Sequence, residues 1–180
     1  MRRVLFVLTV LGLAIAYAGC GSGQYGYAHE YETYGDEGRY LEQAADLSYE
    51  EVRRTRPEEQ RMVGWFGVLL APPEVQGSTV RVQLSLRAHQ DRHLCSTSAS
   101  DSCRVTVSAR EIGRFTAILP LRPEDREGRT RLWTGSLVRV YGTATGETDA
   151  DDGPVLQAQW YRHWPAHYYV TTAAAGSMRR

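Results

Sequence analysis

Apolar residues recur along this chain with a period that changes near residue 62. In TVRVQLSLRA, Val80, Val82, Leu84 and Leu86 alternate with Arg81, Gln83, Ser85 and Arg87, the spacing of a half-buried strand. MVGWFGVLLA predicts a strand ended by Pro72-Pro73; RVTVSA, RFTAILPL, SLVRVYGTATG and PVLQAQWYRHWP predict four more. Turn formers separate them at Gln76-Gly77, Ile112-Gly113, Gly135 and Asp152-Gly153-Pro154. Short strands at this spacing, without long amphipathic helices, predict a mainly β protein: a small OB-like antiparallel β-barrel. RPEDREGRTRLW, between two of these strands, has room for one helical turn beginning near Pro123; an insertion between the third and fourth strands is where an OB barrel commonly carries its helix.

Before the strands the pattern differs. Ser48 followed by Glu51 makes a capping box with Leu47 as its hydrophobic staple, so a short helix is expected over 49–54, ending before Pro57. A weaker helix is expected over 40–45. Residues 21–40, GSGQYGYAHEYETYGDEGRY, show no apolar period and read as part of a flexible tether over 20–46. Tyr25, Tyr27, Tyr31, Tyr34 and Tyr40 in that stretch serve either as part of a spacer or as contacts to a partner or a sugar surface. The barrel domain is assigned to 47–170 and a tail to 171–180.

The N-terminus adds a location. Arg2-Arg3 and the apolar run over residues 4–16 have the form of a signal peptide, too short for a permanent membrane span. Ala18-Gly19-Cys20 then resembles the lipobox of bacterial lipoproteins, with Tyr17 where leucine is usual. That resemblance implies cleavage after residue 19, a diacylglycerol on Cys20 and a membrane anchor; a soluble secreted protein cut at a nearby small residue is the alternative. Gly21 in place of aspartate favours the outer membrane by the same analogy.

With Cys20 lipidated, Cys95 and Cys103 remain, in an oxidising compartment and bracketing the polar run STSASDS. A disulfide is expected there. A metal site from His89, His93, Cys95 and Cys103 has suitable ligand types but no standard zinc spacing, and no metal or other cofactor is expected.

Charge narrows the partners. The 21 basic residues, all arginine, balance 21 acids, so no global field recruits nucleic acid. Removing Arg2 and Arg3 leaves the mature chain mildly acidic. No nucleophile elbow, metalloprotease helix or phosphate-cradling loop is present, and no enzyme is expected. Asp149, Asp151 and Asp152 suggest calcium ligands but lack the bidentate glutamate of an EF-hand loop, and a solvated hairpin tip is the simpler reading. QWYRHWPAHYY places Trp160, Arg162 and Trp164 on one strand face, a surface for sugars or a partner if exposed and a barrel seal if not. Trp65 and Trp133 are assigned to packing. His89 and His93 lie in a polar segment that a disulfide would hold as a rigid, partner-presenting loop.

LSYEEVRRTRPEEQRMVGWFGVLL is similar to the Slp family of bacterial outer-membrane lipoproteins, in which a V-R-x-x-P segment leads into a Trp-x-Gly-Val strand, matched by Trp65, Gly67 and Val68. GRFTAILP, GSLVRVYGTATGE and GPVLQAQWYRHWP resemble that family's later strands in the same order, extending the likeness over about residues 47–165. The Cys95–Cys103 segment and the C-terminal HYYVTTAAAGSMRR depart from it. The resemblance implies an envelope lipoprotein without catalytic activity, acting as a structural or adaptor protein toward an envelope protein or cell-wall component. The alternative expectation is a small-ligand or glycan-binding module that uses the aromatic face.

Overall fold

The computed structural model describes residues 31–93, 105–149 and 151–173. Two short helices, α1 (Glu37–Gln43) and α2 (Tyr49–Arg54), precede seven strands. These are β1 (Met62–Leu69), β2 (Glu74–Gln76), β3 (Thr79–His93), β4 (Val105–Pro120), β5 (Leu137–Thr148), β6 (Pro154–Trp164) and β7 (Tyr169–Thr171). A 3-10 turn, Pro123–Asp125, sits between β4 and β5, at the expected insertion.

Five strands close a ring: β1 pairs with β3, β3 with β4, β4 with β6, β6 with β5, and β5 with β1. The resulting barrel is OB-like. It is not purely antiparallel, because β4 runs parallel to β6 and also to β7. Closure forces this: the third and fifth barrel strands point the same way, so the last pairing joins parallel neighbours.

The alternation places side chains as expected. Val80, Val82, Leu84 and Leu86 are buried in the interior with Trp65, Phe115 and Tyr161. Gly67 faces inward, where an added Cβ would lie 2.8 Å from the Leu84 Cβ and 3.0 Å from the Phe115 ring. Ser85, expected to face solvent, is fully buried, and its hydroxyl donates to Glu111 Oε2 at 2.5 Å.

Two expected boundaries move. Ile112-Gly113 is not a turn: β4 runs unbroken through it for 16 residues, and the glycine admits the Tyr49 ring, which an added Cβ would meet at 2.7 Å. Three register shifts bend the β3–β4 arm, letting Val105 and Val107 pack on the outer face of the barrel with Phe66, Leu137 and Trp164. The domain extends past residue 170: β7 pairs with β4, and Thr172 Oγ1 accepts the Ala109 N–H at 2.9 Å.

The largest correction concerns the tether. Within residues 31–46, α1 lies against the barrel, Glu37 is 0% exposed and the Ala45 N–H donates to the Met62 carbonyl at 2.7 Å. A six-to-seven-residue helix is too short to persist by propensity. The contacts of its flanks hold it in place.

Candidate functional site

Strand alternation puts Trp160, Arg162 and Trp164 on one face of β6, as the sequence predicts, and that face is the outer one. Across the ladder they meet Tyr141, Arg139 and Leu137 of β5, and Arg139 is in register with Phe66 of β1. Two arginines directly opposite one another repel. Glu37 resolves the repulsion: its Oε2 accepts from Arg162 Nη1 at 3.1 Å, and its Oε1 lies 3.6 Å from Arg139 Nη1. The same carboxylate accepts from the Tyr31 hydroxyl at 2.5 Å, the Tyr141 hydroxyl at 2.9 Å and the Tyr34 N–H at 3.0 Å.

Aromatic rings enclose the guanidinium groups. Arg139 lies 4.4 Å from the Tyr31 centroid and 4.8 Å from that of Phe66, and Arg162 lies 4.6 Å from that of Trp164. Burial, reinforced by the Glu37 charge, pushes the Tyr31 hydroxyl far above its ordinary range. Burial does the same to Tyr141 against the opposing pull of Arg139. Both phenols therefore remain hydrogen-bond donors. Tyr40 stacks on Trp160 with centroids 5.9 Å apart.

The face expected to receive a sugar or partner is thus covered by the chain's own residues 31–43. Arg162 and Trp164 are buried, and Trp160 is partly covered. Tyr31, Tyr34 and Tyr40, read as tether tyrosines, are components of this strap.

Beside the strap a cleft of about 450 Å³ opens between residues 46–49, β1 and the bent part of β3. Tyr49, Trp65 and Phe66 wall it, with Arg87, His89 and Arg139 among its lining. Such a volume suits a small ligand. His89 belongs to β3, paired with Val107, and its ring stacks 4.8 Å from Phe66. His93 is also in strand, paired with Val105. Residues 89–93 are therefore a strand arm and not the expected loop. The Nε atoms of Arg87 and Arg139 are buried without a hydrogen-bond partner among the described residues. Cys20, Cys95, Cys103 and the side chain of His93 lie outside the described residues, so the expected lipidation and disulfide have no geometry here.

Two further polar clusters tie turns to the barrel. His163 Nδ1 lies 2.8 Å from Asp125 Oδ1, and the Tyr161 hydroxyl donates to Asp125 Oδ2 at 2.5 Å, tying the 3-10 turn to β6. Burial works to raise the Asp125 pKa, but the hydrogen bonds from His163 and Tyr161 prevail and hold it below the usual carboxylate value. At the β5–β6 tip, Asp149 accepts from the N–H groups of Asp151 and Gly153 and from the Thr116 hydroxyl. Asp152 pairs with Arg53, and Asp151 with Arg114. Among the described residues, no three metal-binding side chains converge.

Trp65 packs as expected and donates its Nε1 proton to the Leu47 carbonyl at 3.1 Å. Trp133 does not: it is 44% exposed. Sequence reasoning missed Glu37, Arg139, Asp125 and His163. Arg139, flanked by valines in LVRVYG, carried a signal: a charge within so apolar a strand requires a partner.

No family model, curated protein or solved structure matches this chain.

Proposed function

We propose that this chain is a non-catalytic lipoprotein of the bacterial outer membrane, anchored through Cys20 and stabilised by a Cys95–Cys103 disulfide. Its OB-like barrel serves as a structural or adaptor module toward an envelope protein or cell-wall component. The strap carries this reading. Because residues 31–43 bind the barrel, only residues 21–30 separate it from Cys20. Those ten residues reach at most about 36 Å, so an anchored barrel is confined to a thin layer above the membrane. A shallow, confined module suits contact with other envelope components. Labelled fatty acid attaching to the wild type but not to Cys20→Ser, with the wild type in the outer-membrane fraction, is the expected result. Recovery of the uncleaved chain from the cytosol with reduced thiols overturns it.

The cleft favours a second reading, a small-ligand module, now placed beside the strap instead of on the Trp160 face. Arginines among aromatic walls suit a compact molecule with an apolar body and an acidic group. Peptidoglycan fragments offer the acidic group, and the C–H faces of their sugar rings an apolar surface for the aromatic walls. Titration of the full chain with them should perturb residues 86–89; an unchanged spectrum across the panel removes this reading.

A further inference from the structure

We infer that the end of the barrel where β5 begins and β6 ends rests on the membrane itself, its partner surface being an anionic phospholipid bilayer. The inference rests on the lipid-anchor reading and adds an orientation to it. Trp133, Leu70 and Tyr168 are exposed by 44%, 37% and 37% at this end. Hydrogen bonds link the residues beside them. The Gly135 N–H donates to the Leu69 carbonyl at 2.9 Å, and the Gly135 carbonyl accepts from the Tyr169 hydroxyl at 3.0 Å. Trp133 occupies a fixed turn: its carbonyl accepts from the Ser136 N–H at 2.9 Å, and Gly135 has φ of 83°.

The chemistry around this turn is interfacial. Arg131 lies 4.5 Å from the Trp133 centroid, and the exposed segment also carries Arg126 and Arg129. An indole beside guanidinium groups fits the headgroup layer, where amphipathic rings settle and cations meet phosphates. Glu124 and Glu127 partly offset that charge but do not cancel it.

The path of the chain supplies the second observation. Residues 31–45 run along the barrel from Tyr31, which packs against the cluster of Phe66, Leu137 and Trp164 and meets the Phe66 ring at 5.8 Å, to Ala45, bonded to Met62 at the other end. Tyr169, whose hydroxyl reaches Gly135, packs in the Tyr31 cluster. The strap therefore starts at the same end that presents Trp133. The link to Cys20 leaves the barrel from this end, so this end meets the bilayer with the link least extended.

Full-length chain in mixed phosphatidylcholine–phosphatidylglycerol vesicles tests this, with the Trp133 signal taken as wild type minus Trp133→Phe. The expected result is blue-shifted emission, quenched by lipids brominated near the headgroup about twofold more than in pure phosphatidylcholine. Replacing Arg126, Arg129 and Arg131 by Gln should remove that lipid preference. A fatty-acylated, vesicle-bound chain whose Trp133 stays water-exposed overturns the docking and leaves the anchor intact. A Trp133 blue shift that needs no vesicles and tracks self-association overturns it in favour of a second copy. If Cys20 carries no fatty acid, the anchor reading fails alone. The same measurement on that chain at high lipid then decides the surface: persistent quenching upholds it and none overturns it.

Discussion

Arg139 and Arg162 face each other across β5 and β6, and this pairing is unfavourable until Glu37 enters between them. Removing one partner from a buried ionic group leaves uncompensated charge, at a cost of about 3–5 kcal/mol. Glu37→Ala should lower the unfolding free energy by that order in urea titrations, and Glu37→Gln, which keeps acceptor capacity, by less. The pH limits follow from two other kinds of residue. Asp125 has a folded pKa below its unfolded value, so its contribution is present at neutral pH and disappears as acid protonates it in the folded state. The acid limb of the stability curve should therefore be shallower in Asp125→Asn. Tyr31, Tyr141 and Tyr161 have raised pKa values, chiefly through burial, and their contribution is complete below the ordinary value of 10.0. Stability should fall as pH rises above that value, with the tyrosinate absorbance of these three residues appearing together with unfolding.

At the scale of elements, α2 was legible to the residue. Ser48 accepts from the Glu51 N–H at 3.3 Å while the Glu51 carboxylate accepts from the Ser48 N–H at 2.7 Å, both bonds being local. Ser48→Ala should cost about 1 kcal/mol, read as a lower melting temperature with unchanged strand content. β4 was less legible. Gly113 carried the mark of a turn, but its missing side chain admits Tyr49, whose hydroxyl donates to the Arg114 carbonyl at 2.7 Å. Gly113→Ala should cost about 1–3 kcal/mol by overpacking and displace the Tyr49 ring, visible in near-ultraviolet dichroism. α1 was legible only in part: a helix was expected over 40–45 and stands at Glu37–Gln43, but its docking was not foreseen, because it lacks an apolar stripe and its buried anchor is a carboxylate.

Across the whole molecule, the strap and the barrel share one buried polar network, and should unfold as one cooperative unit. Deleting residues 31–43 from the full chain uncovers Arg162 and Trp164; the expected outcome is binding of a hydrophobic dye and a broadened transition, and an unchanged sharp transition would show the strap to be dispensable. The sequence by itself determined what depends on neighbours a few residues apart: the α2 cap, the inward and outward alternation of β3, and the turn at Gly77 with φ of 63°. It also determined the β-barrel class, since that follows from the count and spacing of alternating segments. Only the tertiary structure decided which outer face was covered and which cleft stayed open. Glu37 and Arg162 lie 125 positions apart. Nothing in a local pattern specifies such a pairing, because it arises when ring closure brings β5 beside both β1 and β6 and the resulting pair of opposed cations requires an anion from elsewhere in the chain.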